Sequence, residues 1–236
     1  MTGYVHSIYA GGMVDGPGIR SVVFLSGCPL RCKYCHNPDT WSKNSGKPMT
    51  VDECLTEILK YKSYFRFSGG GVTIAGGEPL SQPEFLIELL DACRAKGIHT
   101  AVDTSGYTSI KTAEKVLPHT DLLILDLKAF NPQTYKKVTG VEIDKTIDFL
   151  NVSKRLNIPT WVHFVLVPNL TDDLNELKQM AEFLKDFDNI EKIDVLPFHK
   201  NGEYKWEGHS TPYELANTQV PTKAQVEEAQ RILKRS

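Results

Sequence analysis

Three thiols lie within the twelve-residue stretch Gly27-Cys28-Pro29-Leu30-Arg31-Cys32-Lys33-Tyr34-Cys35-His36-Asn37-Pro38, spaced C-x3-C-x2-C. A loop of that spacing can curl around an iron–sulfur cube so that Cys28, Cys32 and Cys35 each hold one iron, leaving the fourth iron open to a substrate. Zinc is the competing reading. It takes four ligands, commonly as two separated pairs, and no second pair follows here; His36 adjoins Cys35, where the backbone makes ligation of the same metal awkward. Three unrelated core cysteines are a further alternative. Cys54 and Cys93 each fall on the apolar face of an expected helix and read as small buried hydrophobes. Five cysteines, an odd number with three clustered, suit a reducing compartment better than a disulfide framework, so a cytoplasmic protein is expected.

Other polar residues stand where apolar runs end. Ser21 to Leu25 runs towards Cys28, Gly71 to Ala75 into Gly76-Gly77-Glu78, His99 to Val102 into Asp103-Thr104, and Leu122 to Leu125 into Asp126 and Lys128. Thr160 to Val167 and Ile193 to Leu196 complete the set, the latter running towards His199. These short β-branched runs read as six buried parallel strands. Between them, Val51 to Phe65, Pro83 to Ala95 and Asp172 to Phe187 place apolar residues at helical spacing. Pro83 and Pro221 suit helix starts and Gly97 a C-terminal cap. The alternation implies an α/β fold, either a partial barrel or a doubly wound sheet, whose site lies at the carboxyl ends of the strands. Each polar residue could instead merely cap the next helix, but five in register favour a shared site.

Composition excludes several classes. With 236 residues, 41% hydrophobic and 24% charged, the chain suits a soluble globular domain rather than a disordered or collagenous one. Twenty-seven basic against 29 acidic side chains, a net charge of −2 without long single-sign runs, argue against nucleic acid or an anionic membrane as partner. Met1 to Ala10 lacks the basic and apolar regions of a signal peptide, and no apolar run is long enough for a membrane span. One domain is the simplest division.

The cysteine loop followed by Gly76-Gly77-Glu78-Pro79 resembles the radical S-adenosylmethionine superfamily. Val14-Asp15-Gly16-Pro17-Gly18-Ile19-Arg20, together with His6-Ser7, Cys35-His36-Asn37, Gly69 to Thr73, Asp126-Leu127-Lys128, Leu196 to His199 and Lys205-Trp206, is similar to the activating enzymes of glycyl-radical enzymes, the pyruvate formate-lyase group in particular. Taken from its residues alone, Asp15 to Arg20 is a surface turn, since Asp-Gly and Pro-Gly are turn dipeptides.

The resemblance implies a partial (β/α)6 barrel of parallel strands spanning 1–236, with an N-terminal substrate-side segment at 1–20, a core at 21–200, and a C-terminal extension with a helix at 201–236. It implies one four-iron four-sulfur cluster on Cys28, Cys32 and Cys35. S-adenosylmethionine would be held by Tyr34, His36, Gly76, Gly77, Glu78, Asp103, Asp126, Lys128 and His199, and a monovalent cation by Asp103, Thr104 and Asp126. Two acids beside an anionic ligand would repel it unless a cation intervened, and Lys128 near a carboxylate makes electrostatic sense, although a solvated strand-end lysine is the alternative. Tyr34 and His36 beside the cluster fit plain packing nearly as well. Asp15, Gly16, Arg20 and His36 would meet the partner, a glycyl-radical enzyme such as pyruvate formate-lyase. The expected chemistry is one-electron cleavage of S-adenosylmethionine, the resulting 5′-deoxyadenosyl radical taking a hydrogen atom from a glycine Cα. A flavodoxin-like or ferredoxin-like donor would supply the electron to a monomeric enzyme. An activase of another glycyl-radical enzyme, or a radical enzyme acting on a small molecule, remains as an alternative. With only Cys54 between the cysteine loop and Gly76, the chain resembles the compact single-cluster type. Tyr9-Ala10-Gly11 and His163 depart from the pattern, the latter at a fifth-strand position that is often arginine.

Overall fold

Strand order decides between the two expected architectures. The computed structural model describes residues 1–208 and 211–234, so positions 209, 210, 235 and 236 of the C-terminal extension lie outside the described residues. Its eight-stranded sheet has the order β3-β1-β2-β4-β5-β6-β7-β8. The expected parallel strands are β2 (Arg20–Leu25), β4 (Gly71–Gly76), β5 (His99–Thr104), β6 (Leu122–Asp126), β7 (Thr160–Leu166) and β8 (Ile190–Pro197). Each pairs with the next in the chain and the order never reverses, which is the progression of a barrel and not of a doubly wound sheet. Among the described residues no pairing joins the two ends of the sheet, so the barrel stays open.

Alternation along each strand separates two environments. Val23, Leu25, Val72, Ile74, Val102, Leu123, Leu125, Val162 and Phe164 join the main core with the helices. Ala101, Leu122, Ile124 and Trp161 form a small cluster on the opposite, concave face. Asp103, Asp126 and His163 each follow one of these by two residues, so they share that face further towards the carboxyl edge.

The helices are α1 (Val51–Leu59), α2 (Lys62–Ser68), α3 (Pro83–Ala95), α4 (Ile110–Val116), α5 (Pro132–Thr139), α6 (Asp144–Arg155), α7 (Leu174–Leu184) and α8 (Lys223–Leu233). The single helix expected from Val51 to Phe65 is two, because Tyr61 leaves helical geometry at φ −109° and ψ 8°. Thr50 and Glu53 close a reciprocal capping box on α1. Pro83 opens α3, and Gly97 follows its end in the left-handed region at φ +68°. Pro221 precedes the Thr222 cap of α8 rather than entering its first turn.

Two strands were not expected. β1 (Thr2–Gly12) pairs antiparallel with β2 along most of its length, and β3 (Lys47–Thr50) covers only its Thr2 to Val5 portion. The N-terminal segment is therefore part of the sheet, and the chain between β1 and β2 forms a turn beside the barrel's concave face.

Candidate active site

The carboxyl edges of the strands enclose a cavity of about 420 Å³. Its lining includes Cys28, Cys32 and Cys35, the strand-end residues Gly76, Gly77, Asp103, Thr104, Asp126 and Lys128, then His163, His199, Tyr34 and His36, and Val14 and Asp15 from the turn after β1. Cavity formation thus brings together the expected cysteine loop, strand ends and turn.

The cysteine loop is held from three directions. Gly27 N–H donates to the Thr40 carbonyl at 2.7 Å and Cys28 N–H to that of Trp41 at 3.1 Å. Arg31 and Lys33 N–H donate to the Thr139 and Val138 carbonyls at the end of α5, at 2.8 and 3.0 Å. From the C-terminal side, Trp206 Nε1–H donates to the Cys35 carbonyl at 3.0 Å, and Lys205 Nζ to Asn37 Oδ1 at 2.8 Å. His36 Nε2–H donates to the His199 carbonyl at 3.1 Å, with the two rings stacked 4.2 Å apart. Burial pushes the Cys28 thiol up to about 12 and those of Cys32 and Cys35 in the same direction. Metal binding must therefore expel these protons, a step favoured by the positive field of Lys128.

Glycine at 76 and 77 has a reason beyond ligand approach. A Cβ on Gly76, at φ +119°, would stand 2.3 Å from Leu25 N, and one on Gly77 would stand 2.5 Å from the Gly27 carbonyl oxygen. Close packing of β4 on β2 at Gly76, and of the following turn on the start of the cysteine loop at Gly77, requires both positions to lack a side chain. Glu78, expected at the cofactor, is 1% exposed and turns its carboxylate inward. It accepts from Thr104 Oγ1 at 2.5 Å, Ser105 Oγ at 2.5 Å, Ser105 N–H at 3.0 Å and Leu80 N–H at 3.1 Å. Burial raises its pKa, while these donors oppose the shift. The Glu78 side chain ties the end of β4 to that of β5.

Lys128 forms an ion pair with Asp126. Burial lowers the lysine's pKa, but the field and hydrogen bond of Asp126 together with the fields of Tyr34 and Cys32 outweigh it and hold the ammonium well above its ordinary value. Asp103 is driven well above the usual carboxylate range by burial and by Asp126. Tyr34 packs with Val138, Val167, Phe198 and Leu215. Its hydroxyl has no hydrogen-bond partner among the described residues. The Nε2 of His163 is likewise buried and unbonded, 3.7 Å from Asp194 Oδ2.

Two members of the expected partner-facing set differ. Asp15 lines the cavity, where burial raises its pKa against the opposing fields of His163 and Arg20. Arg20, expected to meet the partner, is fully buried beneath the turn. Its guanidinium is directed to Thr73, Val72 and Pro17 because the strand's pleat turns that side chain into the barrel. The supports from α5, Thr73 and Trp206 were not singled out as individual functional groups by sequence; only the Gly69 to Thr73 and Lys205-Trp206 motifs hinted at the latter two.

The family model described as the Radical SAM superfamily matches residues 22–184. The chain belongs to the radical SAM superfamily. This radical SAM chain is 44% identical over 232 residues to a pyruvate formate-lyase-activating enzyme of Clostridium pasteurianum, covering 98% of this chain and 97% of that relative. A domain of pyruvate-formate lyase-activating enzyme from Bacteroides vulgatus ATCC 8482 is similar in structure, with a TM-score of 0.59 and 29% identity, over 70% of this chain and 92% of that one. A radical SAM methyltransferase from Sphaerobacter thermophilus shares the fold over 98% of this chain and 74% of its own, with a TM-score of 0.65 at 14% identity.

Radical SAM membership implies a four-iron four-sulfur cluster and S-adenosylmethionine. The residues present fit both: three thiols line one cavity, and a lysine and three histidines line it with them. Among the described residues, no three His, Cys, Asp or Glu groups converge on one metal ion.

Proposed function

We propose that the chain is an activase that generates a glycyl radical on pyruvate formate-lyase. The observation that carries this reading is the shared cavity: Asp15 and Val14 of the turn after β1 face the same space as Cys28, Cys32 and Cys35. A backbone glycine presented at that turn would lie in the compartment where radical chemistry begins. Its near-full-length similarity to activating enzymes supports the same partner.

When bound, the reduced cluster and S-adenosylmethionine would supply a 5′-deoxyadenosyl radical to abstract the glycine Cα hydrogen. The chain's own task is placement. Cys28, Cys32 and Cys35 hold the cluster. Lys128 offers a cation to the methionine carboxylate, while His199 and His36 form a stacked wall with Tyr34 nearby. Gly76 and Gly77 line the cavity with backbone, and Glu78 keeps that strand end attached to Thr104. Asp103, Thr104 and Asp126 would share a monovalent cation, offsetting the repulsion between the carboxylates and an anionic ligand. Asp15 offers an acceptor to peptide N–H groups, and Gly16 permits close backbone approach. Electrons would come from a flavodoxin-like or ferredoxin-like donor, and the 236-residue chain would work as a cytoplasmic monomer of one domain. No helix of the described residues is long and apolar enough to cross a membrane.

The deciding experiment reconstitutes the cluster anaerobically, then adds reductant, S-adenosylmethionine and pyruvate formate-lyase. Electron paramagnetic resonance should show a glycyl radical with the native chain and none with Cys32→Ala. Cofactor cleavage without a radical on this partner, but with one on another glycyl-radical enzyme, would reassign the partner; cleavage accompanied by conversion of a small molecule would replace the activase reading.

A further inference from the structure

We propose that buried Arg20 and Thr73 form a positioning device that fixes the backbone of residues 15–18 in the attitude that meets the partner polypeptide. The inference rests on the activase reading and assigns Arg20 a role through the turn rather than contact with the partner.

Arg20 is among the largest fully buried side chains. Burial of the guanidinium lowers its pKa to about 10, against the raising field of Asp15. Among the described residues, no carboxylate forms an ion pair with it. Its donors instead reach Thr73 Oγ1 at 2.6 Å, the Val72 carbonyl at 2.6 Å and the Pro17 carbonyl at 3.2 Å, with a longer reach to the His99 carbonyl at 3.4 Å.

The Thr73 hydroxyl lies between Arg20 and the turn. Because guanidinium can only donate, this hydroxyl accepts from Arg20 Nε and passes its own proton towards the Asp15 carbonyl at 2.6 Å. The carbonyls on either side of Gly16 are consequently tied to one buried cation, directly at Pro17 and through Thr73 at Asp15. Steric fit reinforces the attachment: a Cβ on Gly16 would stand 3.1 Å from Arg20 Cδ and Nε, while one on Gly18 would stand 2.4 Å from Gly70 N. Ile19 N–H adds a bond to Ser68 Oγ at 2.9 Å.

A turn that only joined two strands would not require a buried charge, since an apolar side chain of similar volume can support a loop without charge desolvation. What this arrangement provides is orientation. Val14 is left 74% exposed at the cavity's rim, and Asp15 faces its interior. A recognition surface already fixed before encounter avoids ordering losses during association.

The test uses Thr73→Val, which removes the hydroxyl while keeping a branched side chain, and Thr73→Ser, which restores it. With pyruvate formate-lyase as partner, Thr73→Val should raise the apparent KM for the partner about tenfold through loss of a buried charge-assisted bond. Its maximal rate of radical formation, iron content and uncoupled S-adenosylmethionine cleavage should stay near native, while amide deuterium exchange across residues 12–19 accelerates. Thr73→Ser should recover the native KM and exchange. Unchanged KM and exchange in Thr73→Val would overturn the proposal, as would equal loss of cleavage and radical transfer, or a Thr73→Ser variant resembling Thr73→Val. If Thr73→Val does not fold, Arg20→Lys provides the same KM and exchange tests, because an ammonium cannot reproduce the guanidinium's planar set of contacts. Absence of partner radical in the native enzyme would defeat the activase reading; exchange would then judge the positioning device, with acceleration supporting it and no change overturning it.

Discussion

Glu78 illustrates how a residue in a recognised motif can serve the site from behind. Each carboxylate oxygen receives a backbone N–H and a hydroxyl, so an amide in either orientation sets its own NH2 against a backbone donor. Glu78→Gln should lower unfolding free energy by about 2 kcal/mol, the scale of a buried donor left unpaired. Chemical denaturation of the variant measures this directly. A stability within error of native, accompanied by weakened S-adenosylmethionine binding, would place the carboxylate at the cofactor instead. The sequence reveals Glu78 beside two glycines but not the direction of its side chain. That direction depends on Thr104 and Ser105, which arrive on another strand. By contrast, the three cysteines are legible because their spacing alone carries metal chemistry.

At the scale of elements, the six parallel strands are legible because each is an apolar, β-branched run bounded by turn residues. β1 is less so: its Ser7, Tyr9 and Gly11 are exposed, while Gly11 and Gly12 interrupt the pattern expected of a buried strand. Amphipathic α5 and α6 are also hidden by mixed composition, although the end of α5 holds the cysteine loop. The segment containing Trp206 reaches the same loop from the opposite side. Trp206 stacks edgewise on Trp41 at 5.1 Å and donates to the Cys35 carbonyl. Trp206→Phe retains an aromatic ring but leaves that carbonyl without its donor. Loss of cluster absorbance in an anaerobic chelator challenge should become about fivefold faster, equivalent to one ordinary hydrogen bond. An unchanged loss rate would restrict Trp206 to packing.

For the whole molecule, the open barrel gathers Asp103, Asp126 and Lys128 from successive strand ends into one cavity. Burial first, then Asp126, raises Asp103 well above the ordinary carboxylate range. With its folded-state pKa above the unfolded value, Asp103 costs stability as pH rises through that interval, and the penalty persists above both values. A cation shared by Asp103 and Asp126 would relieve it. At neutral pH and matched ionic strength, potassium or sodium should therefore raise the thermal midpoint relative to a bulky organic cation, and also favour cofactor binding. Identical melting curves and affinities in all three salts would exclude a selective monovalent-cation site, because general screening does not distinguish them.

The long connection between Trp206 and Cys35 also imposes an order on biosynthesis. These contacting residues are separated by 171 positions in the chain. At translation rates of roughly 5–20 residues per second, the cysteine loop waits about 10–30 seconds for its C-terminal clasp. During that interval its thiols belong to a nascent chain without the support that later fixes Cys35. Iron–sulfur delivery after the clasp emerges would meet a preformed cradle, whereas earlier delivery would meet a loose and oxidisable loop. A segment made 171 residues after Cys35 thus sets the earliest time at which the cysteine motif is fully clasped.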